Sequence, residues 1–178
     1  MGKNRLISLF LAKTEQALGL ILFFSLALTF GTKSLAADSS SAPQYNFVFV
    51  LDTSVSMDAH KALAAKFTWD LVDSGFRGVS QPGDSVDIWT YDQENHISKF
   101  PPEIWDQGEA QRIAGNVARF INLQKFKGGS RFESVAKDLN SLLPHTKGLM
   151  VLLLTDGEEP ISGISLDVEI NDFIAREK

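Results

Sequence analysis

The chain has 178 residues and a formal net charge of −5, with 44% apolar and 22% charged residues. That length holds one ordinary domain beside a short leader and leaves little room for a second core. The absence of cysteine excludes disulfides, thiolate zinc sites, iron–sulfur clusters, thiol catalysis and a lipid-modified N-terminal cysteine, and the acidic balance argues against nucleic acid or anionic lipid as the main partner.

The N-terminus opens on the basic stretch Met1 to Arg5. Leu18 to Phe30 follows as 13 residues without a charge, and the small residues Ser34, Ala36 and Ala37 come next. Basic, apolar and small in that order is the layout of a secretory signal peptide, with cleavage expected after Ala36 or Ala37. The apolar run is shorter than the about 20 residues that span a bilayer, so residues 1–37 are read as a signal peptide, with an uncleaved N-terminal anchor as the alternative. Both place the body outside the cytoplasm, in the periplasm or the extracellular space. Residues 38–44, with serine, alanine and Pro43, read as a flexible linker.

The body, residues 45–178, alternates strands and helices. Phe47 to Leu51 is a continuous apolar run of five residues, the pattern of a strand buried on both faces of a parallel sheet. A helix is expected from near Ser56, with Leu63, Phe67 and Leu71 inward at a spacing of four, ended by Gly75 and Gly78. Pro82-Gly83-Asp84 reads as a turn. Val86 to Tyr91 is a second strand. Ile97 to Phe100 is a short third strand that returns antiparallel at the sheet edge after the loop Asp92 to Asn95, and Pro101-Pro102 stops it. Helices are expected over Glu109 to Leu123 and Phe132 to Leu143. Leu149 to Leu154 is a second wholly apolar strand, and a last helix starts near Asp167. The order predicts a doubly wound α/β fold of Rossmann-like type, with a mostly parallel sheet and an antiparallel edge strand.

Two buried strands end in aspartate, Asp52 and Asp156. Ligands of open parallel sheets bind at the carboxyl ends of the strands. If the two strands are neighbours, about 4.8 Å apart, two carboxylates meet on one open rim outside the core, and a cation between them relieves their repulsion. Ser54 and Ser56 occupy alternate positions after Asp52, so both hydroxyls can face the same ion. An all-oxygen donor set suits a hard divalent ion: Mg²⁺ first, with Mn²⁺ or Ca²⁺ satisfied by the same atoms.

These residues resemble a known family. Asp52-Thr53-Ser54-Val55-Ser56 looks like the metal ion-dependent adhesion site, D-x-S-x-S, of von Willebrand factor type A (VWA) and integrin I domains. Thr155-Asp156-Gly157 resembles that family's second acidic motif, Pro82-Gly83-Asp84-Ser85-Val86 its Gly-Asp turn, and Gly128-Gly129-Ser130 the glycine-rich loop that carries its threonine ligand. The resemblance implies a metal held by Asp52, Ser54, Ser56, Ser130 and Asp156, with serine where the family has threonine. It implies a protein partner bound through an acidic side chain, and no catalytic residue. A full domain of that family continues into further strands and a closing helix. The C-terminal strands are therefore expected to be missing, leaving Leu149 to Leu154 as an unpaired apolar edge.

Two other readings stand beside this one. A Mg²⁺-dependent phosphotransferase like the haloacid dehalogenases also puts an aspartate after its first strand, but needs a second aspartate where Ser54 stands. A metal-free structural domain would use Asp52 and Asp156 only as strand-end caps. His60, His96 and His145 are read as exposed and without a role, and Trp69, Trp89 and Trp105 as packing residues. Glu158 and Glu159 lie beside the rim as loop charges. The leader is tested by fusing residues 1–40 to a reporter active only outside the cytoplasm: signal is expected, and a reporter retained in the cytoplasm refutes export.

Overall fold

The computed structural model of the chain describes residues 22–27, 45–142, 148–164 and 167–177. In chain order its strands are β1 (Leu22–Ala27), β2 (Tyr45–Asp52), β3 (Ser85–Tyr91), β4 (Asn95–His96), β5 (Glu103–Ile104) and β6 (Gly148–Thr155). Its helices are α1 (Lys61–Asp73), α2 (Ala110–Leu123), α3 (Phe132–Leu142) and α4 (Asp167–Glu177). The expected linker and cleavage region, the end of the helix at Leu143, Pro144 and His145 lie outside the described residues.

β2 is hydrogen-bonded on both sides, parallel to β3 and parallel to β6. The sheet runs β1-β6-β2-β3-β4, with β5 also on β3. The three long inner strands are parallel, and the flanking strands β1, β4 and β5 are antiparallel. This is a mixed α/β fold.

Alternation along the strands divides the core in two. Phe47, Phe49 and Leu51 of β2 join Val86, Ile88, Leu152 and Leu154 on one face, under Ala64 and Val72 of α1 and Ile113, Val117 and Ile121 of α2. Val48 and Val50 join Trp89, Val151 and Leu153 on the other face, under Phe132, Val135 and Leu139 of α3 and Ile170 and Ile174 of α4. Each such side chain withdrawn from water contributes about 1.5–3 kcal/mol, so the unbroken apolar runs are what commit β2 and β6 to the interior.

Three expectations need correction. The buried stripe of α1 is Ala64, Ala65, Thr68 and Val72, whereas Leu63, Phe67 and Leu71 are only partly buried and pack at the flank of that core. Small residues let the helix lie close on the sheet, and the larger ones fill the wedge toward α2. The strand expected at Ile97 to Phe100 is instead the two residues Asn95–His96, paired with Thr90 and Tyr91; Glu103–Ile104 pairs further back along β3.

The third correction concerns the β6 edge. It is not bare: β1 lies antiparallel along it from Leu22 opposite Thr155 to Ala27 opposite Met150. The apolar run assigned to the leader thus supplies the backbone partners that an eight-residue, charge-free strand would otherwise leave open. No helix among the described residues is long and apolar enough to cross a membrane.

The chain reverses after α1 through a left-handed turn at Gly75, Phe76 and Arg77, with φ of 59°, 52° and 59°. Gly75 is required twice over: by its positive φ, and because a Cβ there would lie 2.8 Å from the Trp105 ring. Phe76 holds its unfavourable conformation by stacking on Phe47, centroids 3.7 Å apart.

Removing β1 should reopen the edge. A chain starting at Asp38 should self-associate or precipitate where the full chain does not, as read by sedimentation velocity at matched concentrations. A soluble monomer that unfolds cooperatively without residues 22–27 would show that the edge needs no cover.

Candidate metal centre

The parallel register that pairs Leu51 with Leu154 and Asp52 with Tyr91 gathers the ends of β2, β3 and β6. Asp52 is the last residue of β2 and is fully buried. Its Oδ1 accepts the Ser54 N–H at 2.8 Å. Its Oδ2 accepts the hydroxyls of Ser130 at 3.0 Å and Thr155 at 3.1 Å, with the Tyr91 hydroxyl at 3.4 Å. Ser54 is buried and Ser56 exposed, and their hydroxyl oxygens are 3.1 Å apart.

Two backbone bonds tie this loop to the segment before α3. Val55 N–H donates to Gly128 O at 3.0 Å, and Lys127 N–H to Thr53 O at 2.9 Å. Gly128 takes φ 66° there, a conformation that favours glycine, and this delivers buried Ser130 to Asp52. Met57, fully buried in the first-face core, pins the following turn from below.

Of the five residues expected at the metal, the structure brings Asp52, Ser54, Ser56 and Ser130 into one hydrogen-bonded group. Asp156 stands on the same rim, half-buried, but its Oδ1 accepts the Glu158 N–H at 3.0 Å. The residue of the second motif that touches Asp52 is Thr155. Thr155 and Tyr91 are therefore site residues that the sequence reading did not assign. Tyr91 was legible as the end of the strand beside β2, and Thr155 as the residue level with Asp52 once β6 is set parallel to β2.

The Gly-Asp turn has a different task. Asp84 is buried and binds Tyr45 N–H and Gln81 N–H, each at 2.8 Å, so it anchors the start of β2, at the opposite end of the strand from Asp52. His96 is half-buried, with Nε2 3.3 Å from Asp92 Oδ1, and is not the free surface histidine expected. Trp89 and Trp105 are buried as expected, Trp105 donating to Val72 O at 3.1 Å, while Trp69 is 37% exposed.

Burial pushes the Asp52 carboxyl above its ordinary 3.8, against the lowering effect of bonds from Ser54, Ser130 and Thr155. Tyr91 is driven well above 10.0, first by burial and then by the negative charge of Asp52. Among the described residues no ammonium, guanidinium or imidazole bonds to Asp52. No group of three or more His, Cys, Asp and Glu suited to a metal occurs among them either. A cation here would be met by one or two carboxylates and several hydroxyls, which is donor chemistry that suits a hard ion retaining its own waters.

The chain matches no family model and none of the curated proteins. Among the solved structures it resembles is that of the three N-terminal domains of the type V pili tip protein Mfa5 from Porphyromonas gingivalis, at 16% identity and a TM-score of 0.44. The match covers 75% of this chain but 22% of that one, so the chain spans less than a quarter of the length of the structure it matches. A likeness at this level carries no argument about function.

The burial of Asp52 changes what its removal does. Asp52→Ala strands one N–H and three hydroxyls in the interior, and should cost about 3 kcal/mol in urea unfolding, not leave the fold untouched as an open rim would imply. Asp52→Asn keeps an acceptor and should fold. A raised folded-state pKa makes this group's contribution complete below pH 3.8 and lost as pH rises through the folded value. Without divalent ion, Asp52→Asn should therefore gain stability on wild type as pH rises through that window. Parallel stability–pH curves for the two proteins would refute the assignment.

Proposed function

We propose that the chain is an exported, divalent-ion-dependent protein-binding module of the von Willebrand type A kind, and not an enzyme. The observation that carries this reading is Asp52: a carboxylate fully buried at the end of the central strand, held by neutral donors alone. Burying an ionised carboxylate without a counter-charge is costly. A divalent ion, Mg²⁺ in the first place, offsets that cost.

Ser54 and Ser56 would hold the ion directly, and Ser130 would supply a third hydroxyl. Asp52 and Asp156 would act directly or through water. Few formal negative charges would leave the ion net positive and able to accept an acidic side chain from a partner. Val55, 65% exposed within the same loop, offers that partner an apolar contact. The groups around Asp52 are hydroxyls with no general base beside them, which favours binding over catalysis. The absence of cysteine fits a periplasmic or extracellular setting.

Calorimetric titration of the full chain with Mg²⁺ should give saturable one-site binding. Ser54→Ala should weaken it about tenfold or more, roughly 1.4 kcal/mol. No binding in the wild type, or equal affinity in wild type and Ser54→Ala, would overturn the reading.

A further inference from the structure

Thr53, Thr90 and Asp92 are among the residues that line a cavity of about 400 Å³, within the range of pockets that enclose part of a ligand. Its wall is shared with the candidate metal loop through Thr53, whose hydroxyl donates to Tyr91 O at 2.8 Å. Lys99, Lys125 and Lys127 line it. The described residues of this acidic chain hold six lysines: Lys61, Lys66, Lys99, Lys125, Lys127 and Lys137. Half of them meet at one cavity.

Their charges are only partly met. Lys66 pairs with Asp70, and Lys61, behind the cavity, donates to Gln124 O at 2.7 Å. The ammonium groups of Lys99, Lys125 and Lys127 enter no ion pair among the described residues. Asp92 is a carboxylate in the lining; its Oδ1 accepts the Glu94 N–H at 3.1 Å, and its charge attracts Lys99, so it offsets one of the three positive charges. Three lysines against one carboxylate leave the lining net positive, and an anion offsets the remaining charge. At the mouth Leu123 is 69% exposed, so the rim presents an apolar contact beside the positive charge. A small inorganic anion would leave that contact unused, whereas a polypeptide carrying acidic and apolar side chains would engage both.

We propose that this cavity binds an acidic polypeptide segment with an apolar residue among its carboxylates. It rests on the metal-dependent reading only in identifying the segment with the same partner whose first carboxylate meets the ion. The cavity's own affinity for the segment needs no ion. Thr53 separates the two sites by one residue from both Asp52 and Ser54, so a short run of acidic residues reaches both.

The test uses the full chain and the peptide Glu-Glu-Leu-Glu-Glu, labelled for fluorescence anisotropy, in EDTA and in Mg²⁺. In EDTA the wild type should bind, and its affinity should fall steeply with added salt. Lys99→Gln/Lys125→Gln/Lys127→Gln should weaken binding about tenfold and the corresponding triple change to Glu more. These side chains are exposed, and the backbone bond from Lys127 N–H to Thr53 O is retained. Lys137→Gln, an exposed lysine outside the cavity, should leave binding in EDTA unchanged. The proposal is overturned if the lysine variants bind like wild type, or if inorganic phosphate at equal concentration displaces the peptide fully. It is also overturned if binding appears only with Mg²⁺ and is lost in Ser54→Ala but kept in the lysine variants, an outcome that would leave the metal-dependent reading standing.

Discussion

The parallel pairing of β2 with strands on both of its sides governs everything at the candidate site. A strand with neighbours on each edge and cores on each face carries apolar residues through its buried middle, here Phe47 to Leu51, and β2 ends at Asp52. The same constraint aligns the tips of β3 and β6 beside it. Tyr91 and Thr155 reach the carboxylate because parallel register leaves them nowhere else to be. The hydroxyl group around Asp52 is thus a product of sheet geometry, and the loops add Ser54 and Ser130 to it.

Those loops are held by backbone bonds. Thr53 O and Gly128 O each accept an N–H from across the gap, so the segment before α3 and the segment after β2 form one unit. A change in either loop is felt in the other. The candidate ion site and the lysine cavity share that unit through Thr53 and Lys127.

Much of this was legible in the sequence. The five-residue run at Phe47 and the six-residue run at Leu149 were legible as strands buried on both faces, and the helix expected over Glu109 to Leu123 is observed from Ala110 to Leu123. The stripe of α1 misled because Leu63, Phe67 and Leu71 have the stronger apolar signal, yet the sheet accepts only the slimmer face with Ala64, Ala65 and Thr68. Asp52 was placed on an open rim because a sequence does not show the roof. Ser130, Thr155 and Tyr91 close over the carboxylate from three separate segments. The cover on β6 was missed because Leu22 to Ala27 also has the composition of an export signal, and composition alone does not distinguish an edge strand from a leader.

The turn at Gly75 to Arg77 has a consequence for the order in which the chain can assemble. Phe76 sits in a left-handed conformation that costs about 1 kcal/mol or more for such a residue. What offsets the cost is the ring of Phe47, which lies on the far side of α1 in the chain. The turn's own bonds, Arg77 N–H to Ser74 Oγ at 3.2 Å and Ser80 N–H to Gly75 O at 3.0 Å, are local, so the stack on Phe47 is what ties its conformation to the sheet. The connection into β3 becomes defined once α1 has docked on β2.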